Sequence, residues 1–169
     1  MIKRIGTRAV LLLALFIAHA ATAPDADSVA VATQPQARAV KLFFILLDGN
    51  GQYGKKVGCN DSVVSVVKTI EPTAAPLQAA LTELLSVKGE TYCETGLYNP
   101  LHQSSLKLES VSVGKQTAVV KMVGEYRDGG HCDTPRVEAQ LTETVKQFTS
   151  VKKVRFFVNG RELTFNPID

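Results

Sequence analysis

A chain of 169 residues has room for one domain of ordinary size plus an export segment. Apolar residues make up 45% and charged residues 21%, so the chain can bury a core and is not disordered throughout. The net charge is +3, partly from the extreme N-terminus, with no tryptophan and no arginine run interleaved with aromatics; there is no electrostatic case for nucleic acid as a partner.

The N-terminus reads as a signal peptide over residues 1–20. Lys3, Arg4 and Arg8 make a positive start, Ala9 to Ala18 is an apolar run, and Ala18-His19-Ala20 supplies the small-x-small cleavage pattern, with the cut expected after Ala20. The run of about ten residues is too short to cross roughly 30 Å of hydrocarbon as a helix. An uncleaved anchor is the alternative. No cysteine follows the run to carry a lipid, and no later segment is apolar enough to span a membrane. The expected location is periplasmic or secreted. Residues 21–39, rich in Ala, Thr, Asp, Gln and Pro, lack periodicity and read as a disordered spacer. The folded domain is expected over 40–169.

Val40 to Leu47 is a continuous apolar run leaving through Asp48-Gly49-Asn50-Gly51, which predicts a buried strand and then a loop to residue 60. Ser62 to Ile70 is β-branched and predicts a second strand, stopped by Pro72. From Thr73, an expected N-cap, Leu77, Ala80, Leu81, Leu84 and Leu85 mark one face of a helix that closes at Lys88-Gly89. Residues 89–105 form a long connection whose Tyr92, Leu97, Tyr98 and Leu101 predict that it packs down. Leu106 to Val113 alternates with a phase change near Ser110, the mark of a bulge, and Gly114-Lys115 turns it into a strand over 117–126. Asp133 or Thr134 is the expected cap of a second helix with Pro135 at its first position, and Val137, Leu141, Val145 and Phe148 form its buried stripe. Lys153 to Val158 is a strand, and Asn159-Gly160 turns into a short edge strand. The order β-β-α-β-β-α-β predicts an α+β, two-layer sandwich: a mixed or antiparallel sheet with both helices on one face.

Several chemistries are in play on residue types alone. Cys59, Cys93 and Cys132 with export predict at most one internal disulfide and one leftover thiol, with the pairing open. His131-Cys132-Asp133 with the other cysteines could gather zinc, but no paired ligands two to four residues apart occur. Cys93 with His102 or His131 could be a thiol nucleophile and base, yet nothing local activates Cys93. Asp48-Gly49-Asn50-Gly51 is like the start of a calcium loop but runs into Lys55 and Lys56 where a closing acid belongs, and no Gly-Lys-Ser/Thr follows to make a phosphate loop. No cofactor or metal is expected, and no catalysis.

Taken together, six segments carry a resemblance. They are Gly58-Cys59-Asn60-Asp61-Ser62-Val63-Val64, Pro76 to Leu85, Gly96-Leu97-Tyr98-Asn99-Pro100-Leu101, Leu106 to Val113, Gly130 to Gln140, and Phe157-Val158-Asn159-Gly160. In this order over residues 41–160 the chain resembles GerMN domains, the sporulation and spore germination domain family. The resemblance implies a fold akin to ring-building modules of bacterial secretion and sporulation complexes, with no catalysis and no known ligand. Family members are commonly extracytoplasmic, often lipid-tethered or fused to other modules; this sequence shows neither a lipid-anchor cysteine nor a second set of these motifs. In the family pattern Cys59 and Cys132 are the matched cysteines, so the resemblance implies that they pair and Cys93 is extra. Such a bridge closes a loop of about 70 residues, worth roughly 4 kcal/mol by chain entropy. Asp61 and Arg136 flank it and are expected to form an ion pair or to recognise a ligand. Tyr92, Tyr98 and Asn99 are candidates for a binding loop or for packing on the first helix.

The function expected is that of a protein-interaction or assembly module with an envelope protein as partner. A module contacting peptidoglycan or another glycan is the alternative, and an enzyme inhibitor a further one.

Overall fold

A computed structural model describes residues 37–127 and 129–165; the expected signal peptide, nearly all of the expected spacer and the last four residues lie outside that range. Strand β1 (Arg38–Leu46) begins slightly before the expected domain start. The expected loop after it contains a short strand, β2 (Lys55–Val57), that its lysines concealed. Then follow β3 (Asp61–Ile70), helix α1 (Pro76–Ser86), a 3-10 turn (Cys93–Thr95), the β4–β5 hairpin (Lys107–Gly114 and Thr117–Val123), helix α2 (Asp133–Lys146), β6 (Lys153–Val158) and β7 (Arg161–Leu163).

The α+β class, the two helices and the mixed pairing are as expected, but the strands divide into two sheets. One has the order β1-β3-β2, all antiparallel; the other has the order β4-β5-β6-β7. In the second sheet β5 and β6 run parallel, because α2 carries the chain back to the start of the sheet between them. The bulge falls between Leu108 and Ser110, where the alternation changes phase. The hairpin turn is Lys115-Gln116, since Gly114 still pairs with Thr117; both turn residues have positive φ, 49° and 62°, as a two-residue hairpin turn requires. Strand β5 stops at Val123, short of the expected Tyr126. Gly124 sits at φ 117°, and a Cβ there would run into the Ser105 carbonyl.

The sheets part at the outer edge of β1. Lys41 donates its N–H to Gln147 Oε1 (2.8 Å) and accepts from Gln147 Nε2 (2.7 Å). The Phe43 carbonyl accepts from Gln140 Nε2 (2.9 Å), and Ile45 exchanges both backbone bonds with Tyr98 (2.9 and 2.7 Å). Two helix side chains and one loop residue thus take the place of a neighbouring strand, satisfying an edge that would otherwise be an open template.

Both helices bury the predicted stripes. Leu77, Ala80, Leu81, Leu84 and Leu85 of α1 meet Val137, Leu141 and Val145 of α2, with Phe44 and Leu42 of β1 and Val120 and Met122 of β5, in one core. The helix starts differ from expectation. Ala75, not Thr73, is the N-cap of α1, and Thr73 Oγ1 accepts from the Ala75 N–H (3.0 Å), two residues before the helix position expected of a cap. Cys132 is the N-cap of α2, and Asp133 rather than Pro135 opens it, because Asp133 and Thr134 already donate to the Gly130 carbonyl.

Candidate functional site

Asp61 opens β3 and Arg136 sits in the first turn of α2, so folding brings together side chains far apart in sequence. Arg136 Nε donates to Asp61 Oδ2 at 2.7 Å, and its Nη1 donates to Asp133 Oδ1 at 2.9 Å. The Asp61 side chain is 1% exposed, that of Asp133 6% and that of Arg136 17%. The free oxygen of Asp61 accepts the Asp48 N–H at 2.9 Å, and that of Asp133 accepts the Tyr98 hydroxyl at 2.8 Å. The guanidinium also lies 5.4 Å from the centre of the Tyr98 ring, within cation–π range. One cation therefore answers two buried carboxylates, and a hydroxyl and an amide complete them. Burial pulls the guanidinium pKa down, but the hydrogen bonds and charges of Asp61 and Asp133 outweigh it and hold Arg136 above the ordinary arginine value. Burial first, then the bond to Asp133 and its charge, raise the Tyr98 hydroxyl far above the usual tyrosine range.

The loop carrying Tyr98 is held from beneath by Asn99, which is fully buried. Its Nδ2 donates to the Val87 and Gly89 carbonyls, both at 3.1 Å, at the exit of α1. Its Oδ1 accepts from Leu101 N (3.3 Å) and Gln140 Nε2 (3.2 Å). Tyr92 stacks on Phe44 with ring centres 4.3 Å apart. Tyr92 and Tyr98 both face inward, and the loop packs on the β1 side of the fold.

Cys59 and Cys132 form a disulfide, with Cα atoms 5.7 Å apart and a sequence separation of 73. Cys59 and Asn60 lie at positive φ, 58° and 67°, as the chain turns into β3. Cys93 is exposed and unpaired. Among the described residues no three His, Cys, Asp or Glu side chains converge on a possible metal position. Sequence reasoning paired Asp61 with Arg136, as the structure does, and named Tyr98 and Asn99 as a loop apart from them. It took Asp133 for a helix cap and passed over Gln140, whose only signal was a polar residue inside the apolar stripe of α2.

The model of the family described as "Germane: Sporulation and spore germination" matches residues 41–164. The chain belongs to the Germane family. The first GerMN domain of the sporulation protein GerM from Bacillus subtilis has a similar structure (TM-score 0.54, 22% identity), over 78% of this chain and 94% of that one. The tandem GerMN domains of the same protein give a TM-score of 0.53 at 15% identity, over 80% of this chain and 43% of that one. None of the curated proteins compared with the chain matches it. At these identities the two structures speak for the fold alone. No described helix of this Germane domain is long and apolar enough to cross a membrane.

A shallow groove lies near the centre. A depression of about 300 Å³ beside the disulfide is lined by Gly58, Cys59, His131, Pro135, Glu138 and Phe165. Among the described residues Tyr53 is the most exposed large apolar side chain, at 87%, ahead of Val67 at 66%; Leu47, 45% exposed, shares with Tyr53 the loop between β1 and β2.

Proposed function

We propose that this Germane domain is a non-catalytic assembly module that works outside the cytoplasm by contact with an envelope protein. The observation that carries the reading is the central network. Asp61, Asp133, Arg136 and Tyr98 answer one another, so the most chemically capable side chains are engaged in holding the fold. The export pattern ending at Ala20 and the Cys59–Cys132 bridge support an oxidising compartment as its place of work. Membership of a family described by sporulation and germination supports a role in envelope assembly. The contact surface we assign is the loop bearing Leu47 and Tyr53, since exposed aromatics are favoured anchors of protein interfaces.

A photo-crosslinking residue placed at position 53 of the full chain, expressed in its own cells, tests this. The expected result is a discrete heavier adduct with an envelope-fraction protein, competed away by untagged wild type. A protein that stays in the cytosol, or that crosslinks to nothing in the envelope, overturns the reading. Retention on purified wall material that depends on Tyr53 would move the assignment to a glycan contact.

A further inference from the structure

The Arg136 clamp and the disulfide join the same two segments. Asp61 lies two residues past Cys59, and Asp133 follows Cys132 directly. Arg136 spans both carboxylates at 2.7 and 2.9 Å. On the Cys59 side, Asp61 also fixes the turn by accepting the Asp48 N–H, and Asn50 N donates to the Asn60 carbonyl at 2.8 Å. On the Cys132 side, the Gly130 carbonyl takes the N–H groups of Asp133 and Thr134. None of these contacts involves a sulfur atom. Arg136 alone among them joins the start of β3 to the start of α2, and it does so independently of the sulfur atoms.

A selector is needed because the chain holds a third cysteine. Cys93 lies near the midpoint of the sequence between Cys59 and Cys132. Closing a loop half as long is favoured by about 2 to the power 3/2, close to threefold. With two such wrong loops available, chain statistics alone would leave only about one native bridge in seven. We propose that the Asp61–Arg136–Asp133 clamp forms in the reduced chain and selects the Cys59–Cys132 pairing, so that the ion network guides the disulfide rather than merely accompanying it.

The chemistry is ordinary thiol–disulfide exchange with a small disulfide as oxidant. One cysteine thiolate attacks the oxidant, forming a mixed disulfide and releasing one thiol. The second attacks the mixed disulfide, forming Cys59–Cys132 and releasing the other thiol. The two electrons and two protons leave on the two small thiols.

The test uses the chain with its export segment removed, reduced and denatured, then diluted into a mixture of reduced and oxidised glutathione. Bridged peptides are mapped against time. Wild type, Arg136→Gln and Leu81→Ala are compared; the last destabilises the core from α1 without touching the clamp. Wild type and Leu81→Ala are expected to give mainly Cys59–Cys132. In Arg136→Gln the native share is expected to fall toward one in seven, with Cys93 in most bridges. Pairing is readable even where a variant does not complete folding. If Arg136→Gln pairs as wild type does, or if Leu81→Ala mispairs equally, the clamp has no selecting role and the proposal fails.

Discussion

Replacing Arg136 by Gln removes the one cation shared by two carboxylates. Asp61 and Asp133 are almost wholly buried, at 1% and 6% side-chain exposure, so water cannot take over their solvation without opening the turn. Breaking a buried ion pair by removing one partner costs about 3–5 kcal/mol, because a charge is left buried without an answer. For a domain of this size that is a fall in Tm of roughly 10–20 °C. The expected loss is read from urea unfolding at neutral pH followed by circular dichroism, with the disulfide intact. The same reasoning fixes a rescue. In Asp61→Asn/Asp133→Asn/Arg136→Gln no buried charge remains, the Asp48 N–H and the Tyr98 hydroxyl still find an amide oxygen, and about 2 kcal/mol or more of the loss should return. A single variant that loses less than about 1 kcal/mol, the value of an exposed pair, would refute the account. So would a triple variant no more stable than the single one.

Cys59→Ser/Cys132→Ser should lose about 4 kcal/mol by urea unfolding, given a closed loop of 73 residues, while keeping the wild-type circular dichroism spectrum. Asn99→Ala strands the Val87 and Gly89 carbonyls and removes an acceptor of Gln140; a loss of about 2–4 kcal/mol is expected, with faster hydrogen exchange at Leu101. Tyr98 is held neutral in the fold, with its pKa raised first by burial and then by Asp133, so the stability it lends is whole below the unfolded value of about 10. That stability declines as pH climbs above about 10 toward the folded value, and the margin of wild type over Tyr98→Phe, measured by urea unfolding across alkaline pH, should narrow there.

The strands and helices were legible because burial writes a period into the chain. Val137, Leu141 and Val145 repeat on one helical face and are all fully buried. The bulge showed as a phase change at Ser110. Strand β2 was not legible, because a three-residue edge strand holding two exposed lysines has no hydrophobic pattern to show. The site was legible only in part. Asp61 and Arg136 stood out as charged residues in motif segments, but that Asp133 would turn from capping its helix to share the same guanidinium depends on where the turn at Gly130 places the first residue of α2. Such a choice of one residue in register is decided by tertiary contacts and leaves no trace in local composition.

The division into two sheets has a similar origin, and it bears on how the domain avoids unwanted partners. A strand as apolar as β1 would ordinarily demand a neighbour on each side. Gln140 of α2 and Gln147, its C-cap two turns further on, reach Phe43 and Lys41, alternate residues that present their backbone groups to the same edge; Tyr98 serves Ile45 next along. Polar side chains on a helix thereby end the sheet at a strand that looks central in sequence. A second long edge is β4, eight residues at the border of the second sheet, and there the register shift between Leu108 and Ser110 breaks the straight ladder that an incoming strand would need. The two long strands that end the sheets are thus guarded by different means, one by cover and one by distortion. Guarding these two edges limits strand pairing there when a loop such as the one bearing Tyr53 meets a partner.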